Sequence, residues 1–190
     1  MLTSFAPWIV FWILIGNVDF RLAMLVALAI AALHAFREAR ATGNVKVLDV
    51  GTAVAFAVLL ALTWVLDEDF LERWMQALGN GALFAIALAS VLIGKPFVLA
   101  YAKEDAPPEI WNEPLFLRTV NVITWVWIAA FAVMTVSAAV PPLVDPAATL
   151  RDENATLATV FYWVIPAIAL AGAILFTKRY PEHVSRAAGS

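Results

Sequence analysis

The residues of this sequence that could do chemistry are few, and they stand near the ends of long apolar runs. His34 closes one such run, and the other histidine, His183, lies in a polar tail. His34 could ligate haem or shuttle protons, but haem and metal sites in helical bundles draw several ligands from facing helices, so an isolated His34 is predicted to lie at an interface without a haem or metal. Asp49 begins another apolar run, where a carboxylate favours a helix N-terminus. We therefore expect Asp49 to cap its helix.

The spacings of known catalytic and nucleotide-binding sites are not recognisable in the chain. We find no Ser/His/Asp set, Walker loop, His-Glu-x-x-His or paired carboxylates on one helix face. The lack of cysteine excludes disulfides, iron–sulfur clusters, thiolate zinc sites and cysteine nucleophiles. Catalysis inside a membrane usually needs ionisable groups at depth, and the apolar runs hold almost none. The sequence predicts a protein that is not an enzyme and has no cofactor or metal.

Candidate binding residues are concentrated in one stretch, GKPFVLAYAKEDAPPEIWNEPLFLRTVN, residues 94–121. Lys95, Lys103 and Arg118 could each hold an anionic lipid headgroup, at about 1 kcal/mol per residue near a membrane surface. Asn121 lies inside the following apolar run, with Trp125 one helical turn further on. These two side chains could line a substrate groove, or they could only bond and pack between helices. Both interpretations stay open at the level of sequence.

The composition indicates the solvent that surrounds the chain. Its 190 residues are 63% hydrophobic and only 14% charged, with a mean hydropathy of +0.85. Soluble domains are nearer half apolar and a quarter charged, and one core of this size could not bury so much apolar surface. The net charge of −3 and pI of about 5.3 leave no basic face for nucleic acid. We predict an integral membrane protein with no nucleic-acid partner.

Six apolar segments predict an all-α polytopic helical bundle in a single transmembrane domain, residues 1–190. The first two segments are short, meet at Gly16-Asn17-Val18-Asp19, and form either a pair of barely spanning helices or a re-entrant hairpin. A spanning helix needs about 20 apolar residues. The predicted spans are residues 5–18, 20–36, 49–66, 77–94, 117–140 and 155–177.

The basic residues predict the orientation, since cytoplasmic loops carry an excess of Lys and Arg. On alternate sides of six spans the twelve basic residues divide nine to three, the three being Arg21, Arg73 and Arg151. Both termini are therefore predicted to be cytoplasmic, with residues 95–116 as a cytoplasmic interfacial segment and 178–190 as a cytoplasmic tail. The opposite side is acidic, with Asp67, Glu68, Asp69 and Glu72 expected in one loop and Asp145, Asp152 and Glu153 in another.

Small residues recur at a spacing of four, as in Ala23, Ala27 and Ala31, in Ala53, Ala57 and Ala61, and in Gly81, Ala85 and Ala89. Such stripes let helices approach closely in lipid. We expect contacts within one bundle, with a homo-oligomer as the alternative.

Short motifs spread along the chain resemble those of the bacterial intracellular septation protein A family of small polytopic inner-membrane proteins. They are Phe5-Ala6-Pro7, Asp67-Glu68-Asp69-Phe70 with Trp74, Lys95-Pro96-Phe97, Lys103-Glu104, Pro108-Glu109-Ile110-Trp111, Asn121 with Trp125 or Trp127 and Phe131, and Arg179-Tyr180-Pro181-Glu182. The chain departs from the family in extra residues between Trp111 and Asn121 and in a longer 141–154 loop.

The resemblance implies a non-catalytic role in the cell envelope, as a septation-associated scaffold of the bacterial inner membrane with other membrane proteins as partners. Lys95, Pro96, Trp111 and Asn121 would be the positions that match the family. The alternative is a small transporter, channel or lipid-handling protein with a groove near Asn121 and Trp125. We expect membrane lipids or partner proteins to contact Lys95, Pro96, Lys103, Trp111, Arg118, Asn121 and Trp125.

Overall fold

The structure is a computed structural model that describes residues 2–15, 17–43, 45–145 and 156–188. Every regular element in these residues is helical, which confirms the all-α prediction. In chain order they are α1 (Leu2–Leu14), α2 (Phe20–Thr42), α3 (Val47–Leu62), α4 (Glu68–Leu92), α5 (Phe97–Asp105), a 3₁₀ turn (Pro108–Ile110), α6 (Pro114–Val144), α7 (Thr156–Thr159), a π-helical turn (Val160–Val164) and α8 (Ile165–Ala188).

Four helical stretches are long and apolar enough to cross a membrane: Phe20–Ala41, Glu68–Leu92, Pro114–Val144 and Thr156–Val184. Two further apolar helices, Thr3–Leu14 and Val47–Leu62, are shorter. The expectation of a short second span was wrong, because α2 continues to Thr42 through the charged residues that follow His34. Helix formation tolerates Arg and Glu, whereas a count of apolar residues ends at the first of them.

Successive long helices run antiparallel, so the chain passes back and forth between two ends of a bundle. The Arg21 guanidinium at the start of α2 donates to the Thr63 carbonyl at the end of α3. In the same pair of helices, His34 near the end of α2 meets Asp49 at the start of α3. One end of the bundle therefore contains the starts of α1, α3 and α6 and the ends of α2, α4 and α8. We call it the Lys46 end.

The acidic stretch expected in an outer loop belongs to α4. Asp67 precedes the helix, and Glu68 and Asp69 form its first turn. Carboxylates are stabilised at a helix N-terminus, so these residues start the helix well before the apolar run at 77. This shift puts Asn80 in the middle of α4. The turn residue Gly16 and most of the 141–154 loop, with Arg151, Asp152 and Glu153, lie outside the described residues.

Only the small-residue stripe on α2 is buried inside the bundle at all of its positions named above. Ala23, Ala27 and Ala31 of α2 are buried, whereas Ala57 and Ala61 of α3 are exposed. The stripe on α4 also turns outward at Ala85 and Ala89.

The bundle interior is aromatic and is joined by hydrogen bonds from indoles. The rings of Trp8, Phe11 and Phe56 pack together, with the Trp8 and Phe56 centroids 4.6 Å apart. Trp8 Nε1 donates to Thr52 Oγ1 at 2.9 Å, and Trp12 Nε1 donates to Asn80 Oδ1 at 3.2 Å. A polar group buried in an apolar interior needs such a partner.

The last helix contains a π turn just before Pro166. The Ile165 amide donates to the Val160 carbonyl, five residues back, in place of the usual Phe161 carbonyl. The freed Phe161 carbonyl accepts a hydrogen bond from Ser137 on α6. Proline removes one helix hydrogen bond, and the freed backbone group of a membrane helix is satisfied by a neighbouring side chain.

Candidate functional site

Helix α5 is docked onto the Lys46 end of the bundle by one apolar face. Phe97, Val98 and Tyr101 are buried there, and the Phe97 ring lies against Phe131 of α6. The Phe97 amide donates to Ser90 Oγ at 3.0 Å, which satisfies the first free N–H of the helix. The sequence predicted only that residues 95–116 form an interfacial segment; in the structure the apolar residues of α5 contact the protein core.

Next to α5 is a cavity of about 620 Å³, which we call the basic cavity. Its polar lining comes from three lysines and two glutamates that belong to four different parts of the chain. Its residues are Glu38, Val45, Lys46, Val47, Lys95, Pro96, Phe97, Leu99, Ala100, Lys103, Glu104 and Trp111. The volume is within the range of small-ligand sites.

Lys46 is the fixed charge of the basic cavity. Its Nζ lies 3.0 Å from Glu38 Oε1 on α2 and 2.6 Å from Glu104 Oε1 on α5, and it sits 4.8 Å from the Tyr101 ring centroid. Burial lowers the pKa of Lys46, but the hydrogen bonds and charges of Glu104 and Glu38 outweigh it and raise the pKa. Lys46 therefore remains an ammonium that ties α5 to α2.

The other two lysines of the basic cavity are not neutralised. Among the described residues, Lys95 and Lys103 have no carboxylate within ion-pair distance. Lys103 Nζ lies 5.0 Å from the Trp111 ring centroid, and Trp111 Nε1 donates to the Ala106 carbonyl at 3.0 Å. The indole is thus held in place beneath an ammonium group, and two positive charges remain available to a ligand.

The basic cavity brings together four of the seven residues selected from the sequence, Lys95, Pro96, Lys103 and Trp111. The other three, Arg118, Asn121 and Trp125, are exposed along α6 and do not line it. Asn121 and Trp125 are also absent from the apolar groove of Val126, Ala130 and Gly172 between α6 and α8. The residues expected to form a groove therefore face outward.

A second polar group, the buried cluster, consists of Ser4, His34, Asp49 and Tyr101. His34 Nε2 lies 3.2 Å from Ser4 Oγ and 3.6 Å from Asp49 Oδ1. The side chain of Asp49 is only 1% exposed, and both of its oxygens lack a hydrogen-bond partner among the described residues. The expectation that Asp49 caps α3 was wrong, since its carboxylate is turned toward α2.

The buried cluster is not a hydrolytic triad, although Ser, His and Asp meet. In a triad the carboxylate holds one ring nitrogen and the serine meets the other. Here Ser4 and Asp49 both approach Nε2. The imidazole cannot take the serine proton on one nitrogen while the carboxylate orients the other.

Tyr101 adds a buried hydroxyl to the cluster. It lies beside Ser4 without hydrogen-bond geometry and has no other partner among the described residues. Burial raises the pKa of Tyr101 well above its usual range, and the carboxylates of Asp49, Glu104 and Glu38 add to this against an opposing effect of Ser4. The hydroxyl therefore keeps its proton at any physiological pH.

Sequence reasoning missed the buried cluster because its members are far apart in the chain. His34 was assigned to an interface and Asp49 to a helix cap, and Ser4 and Tyr101 were not selected. The available signal was positional, since Ser4, His34 and Asp49 lie near the ends of apolar segments that an up-and-down topology brings to one end of the bundle, and Tyr101 lies in α5 at that same end.

Comparisons of the chain with protein-family models, curated proteins and solved structures find no match.

Proposed function

We propose that this chain is a six-span protein of the bacterial inner membrane, with both termini cytoplasmic, that holds anionic lipid headgroups at the basic cavity. Its role is non-catalytic, and the resemblance to the septation protein A family suggests a scaffold in the cell envelope. The observation that carries the proposal is the pair of unneutralised lysines, Lys95 and Lys103, over a cavity of about 620 Å³ beside an interfacial tryptophan.

The charge balance of the basic cavity favours an anion. Glu38 and Glu104 both pair with Lys46, and Lys95 and Lys103 add two further ammonium groups, so the lining has three ammonium groups against two carboxylates and a net charge of +1. Basic pockets at the cytoplasmic ends of membrane helices bind phosphate-bearing headgroups. Tryptophan is favoured at the same level of the membrane, and Trp111 lies under Lys103 there.

The arrangement of the ends supports the six-span topology. The nine basic residues of the richer side, Arg37, Arg40, Lys46, Lys95, Lys103, Arg118, Lys178, Arg179 and Arg186, belong to the Lys46 end of an antiparallel bundle. In this topology the two short helices α1 and α3 cross with the long ones, and the 95–116 segment lies at the cytoplasmic headgroups. A scaffold needs a segment that is held in a fixed position, and such a segment does not have to catalyse a reaction.

The test is lipid binding by the full chain in detergent, measured by native mass spectrometry with added phosphatidylglycerol or phosphatidylcholine. The wild type should retain phosphatidylglycerol preferentially. Replacing Lys95 and Lys103 together by Gln should weaken phosphatidylglycerol binding roughly thirtyfold, since each charge contributes about 1 kcal/mol.

The matched control is the double replacement of Arg37 and Arg40 by Gln. Both are exposed basic residues at the same end of the bundle, and neither lines the basic cavity. This control should keep most of the preference. An equal loss in both double variants would mean that general surface charge, and no defined site, attracts the lipid.

A further inference from the structure

The buried cluster takes no part in binding an anion, yet it contains the least satisfied polar atoms at the Lys46 end. Both oxygens of Asp49 and the hydroxyl of Tyr101 are buried without hydrogen-bond partners among the described residues. A buried carboxylate with no donor is strongly unfavourable unless its charge is neutralised. A proton bound by the carboxyl group, or by His34 at 3.6 Å, would reduce that cost.

We propose that His34 and Asp49 form a proton-binding site, with Ser4 and Tyr101 as the hydroxyl groups that serve it. A proton from water is bound by the Nε2 of His34 or by the Asp49 carboxylate, 3.6 Å apart. The net charge of the pair then changes from −1 to zero, and no bond between heavy atoms forms or breaks.

The composition of the cluster favours a proton over a metal ion. The described part of the chain contains no group of three or more His, Cys, Asp or Glu side chains that could hold a metal. The Asp49 carboxylate and the Nε2 atom of His34 face each other, so they offer two neighbouring positions for a single proton. Histidine is the side chain that exchanges protons near neutral pH, and ionisable residues in membrane helices mark proton relays in pumps and transporters.

Charged groups from three elements lie at the same end of the bundle as the pair. Helix α2 contributes Glu38, the link before α3 contributes Lys46, and α5 contributes Glu104, and both glutamates pair with Lys46, while α1 contributes only the neutral Ser4.

Tyr101 lies between the pair and a second cavity. It lines a cavity of about 330 Å³ together with Glu104 and Asp105, and both of these carboxylates are exposed. The Tyr101 hydroxyl stays protonated because burial raises its pKa, and it lies beside Ser4 without a hydrogen bond. The side chain of His34 is itself 22% exposed, so a proton can reach the pair directly from the edge of the bundle.

The experiment is infrared difference spectroscopy of the full chain in lipid nanodiscs, between acidic and alkaline pH. Two samples are labelled, one with ¹³C at the aspartate carboxyl carbons and one with ¹⁵N in the histidine rings. The His183→Gln variant leaves His34 as the one histidine without changing the buried cluster. We expect a pH-dependent band from an unpartnered carboxyl group or from the His34 ring, shifted by the corresponding label.

Variants assign the band. A carboxyl band should be abolished by Asp49→Asn, whereas a ring band should persist in that variant with its midpoint moved to lower pH, because the neighbouring negative charge is lost. Asp69→Asn, which changes an exposed aspartate in the first turn of α4, should leave either band unchanged. Labelled wild-type spectra with no band of either kind, a carboxyl band that survives Asp49→Asn, or a ring band whose midpoint does not move in Asp49→Asn would overturn the proposal.

Discussion

Gly79 lies where α4 meets the ring of Phe11, and its size sets how closely α1 and α4 approach. A Cβ at this position would be 2.6 Å from Phe11 Cε1. The Phe11 ring cannot move aside, because it is fully buried and packs against Trp8 and Phe56. Gly172 on α8 is the contrasting case, since a Cβ there would meet no atom within 4 Å.

We expect Gly79→Ala to lower the free energy of unfolding by about 1 to 3 kcal/mol, the usual cost of overpacking a rigid interior. Unfolding of the purified chain in detergent micelles measures it. Gly172→Ala is the matched control and should be neutral or stabilising by up to about 1 kcal/mol, because alanine is the better helix former. Equal changes in the free energy of unfolding in the two variants would show that the Phe11 ring moves aside.

Residue type alone was a poor guide to the role of single polar residues. Asp49 was expected to cap a helix because of its position in the run, and Asn121 was expected, because of its polarity, either to line a groove or to bond between helices. The structure buries Asp49 beside His34 and leaves Asn121 exposed. The local spacing of residues predicts neither outcome, because both depend on which helices become neighbours in the fold. The basic residues near prolines were easier to find, and Lys95 and Lys103 do share a cavity.

At the scale of elements, α5 depends on a hydrogen bond from the preceding long helix. Ser90 Oγ accepts the Phe97 amide and donates to the Ala87 carbonyl within α4. Replacing Ser90 by Ala leaves a buried N–H without a partner, at a cost of about 1 to 3 kcal/mol.

Hydrogen exchange of the full chain in nanodiscs should show the effect of Ser90→Ala within α5. Its amide protons should exchange roughly 10- to 100-fold faster, since about 1.4 kcal/mol corresponds to a factor of ten. Thr124→Val is the control, because the Thr124 hydroxyl donates only to the Val120 carbonyl of its own helix. Unchanged exchange in α5 would mean that its apolar face alone holds it in place.

Helix boundaries were predictable where proline sets them and not where charge does. Helix α6 begins at Pro114 and the 3₁₀ turn begins at Pro108, since proline suits the first position of a helix. Helices α2 and α4 instead extend into charged residues, to Thr42 and from Glu68. A count of apolar residues predicts only the length of the segment that lies in the hydrocarbon core. The helix itself can extend further, as long as its backbone hydrogen bonds form and charged residues stabilise its ends.

At the scale of the whole molecule, experiment decides whether the two short helices α1 and α3 cross the membrane. By a rise of about 1.5 Å per residue, the 13 residues of α1 and the 16 of α3 span roughly 20 and 24 Å, less than the roughly 30 Å of a hydrocarbon core. Both helices nevertheless run alongside longer partners, and the α1 and α3 starts meet the end of α2 in the buried cluster. If both cross, the Lys46 end faces the cytoplasm.

Cysteine accessibility tests this orientation directly, because the chain has no cysteine of its own. Asp69, in the first turn of α4, and Asp105, at the end of α5, are exposed aspartates at opposite ends of the bundle. In intact cells a membrane-impermeant maleimide should label Asp69→Cys and leave Asp105→Cys unlabelled. After the membrane is permeabilised both variants should react, which controls for local burial. The reverse pattern would place the basic cavity outside the cell, away from the anionic cytoplasmic leaflet, and would remove the electrostatic reason for headgroup binding there.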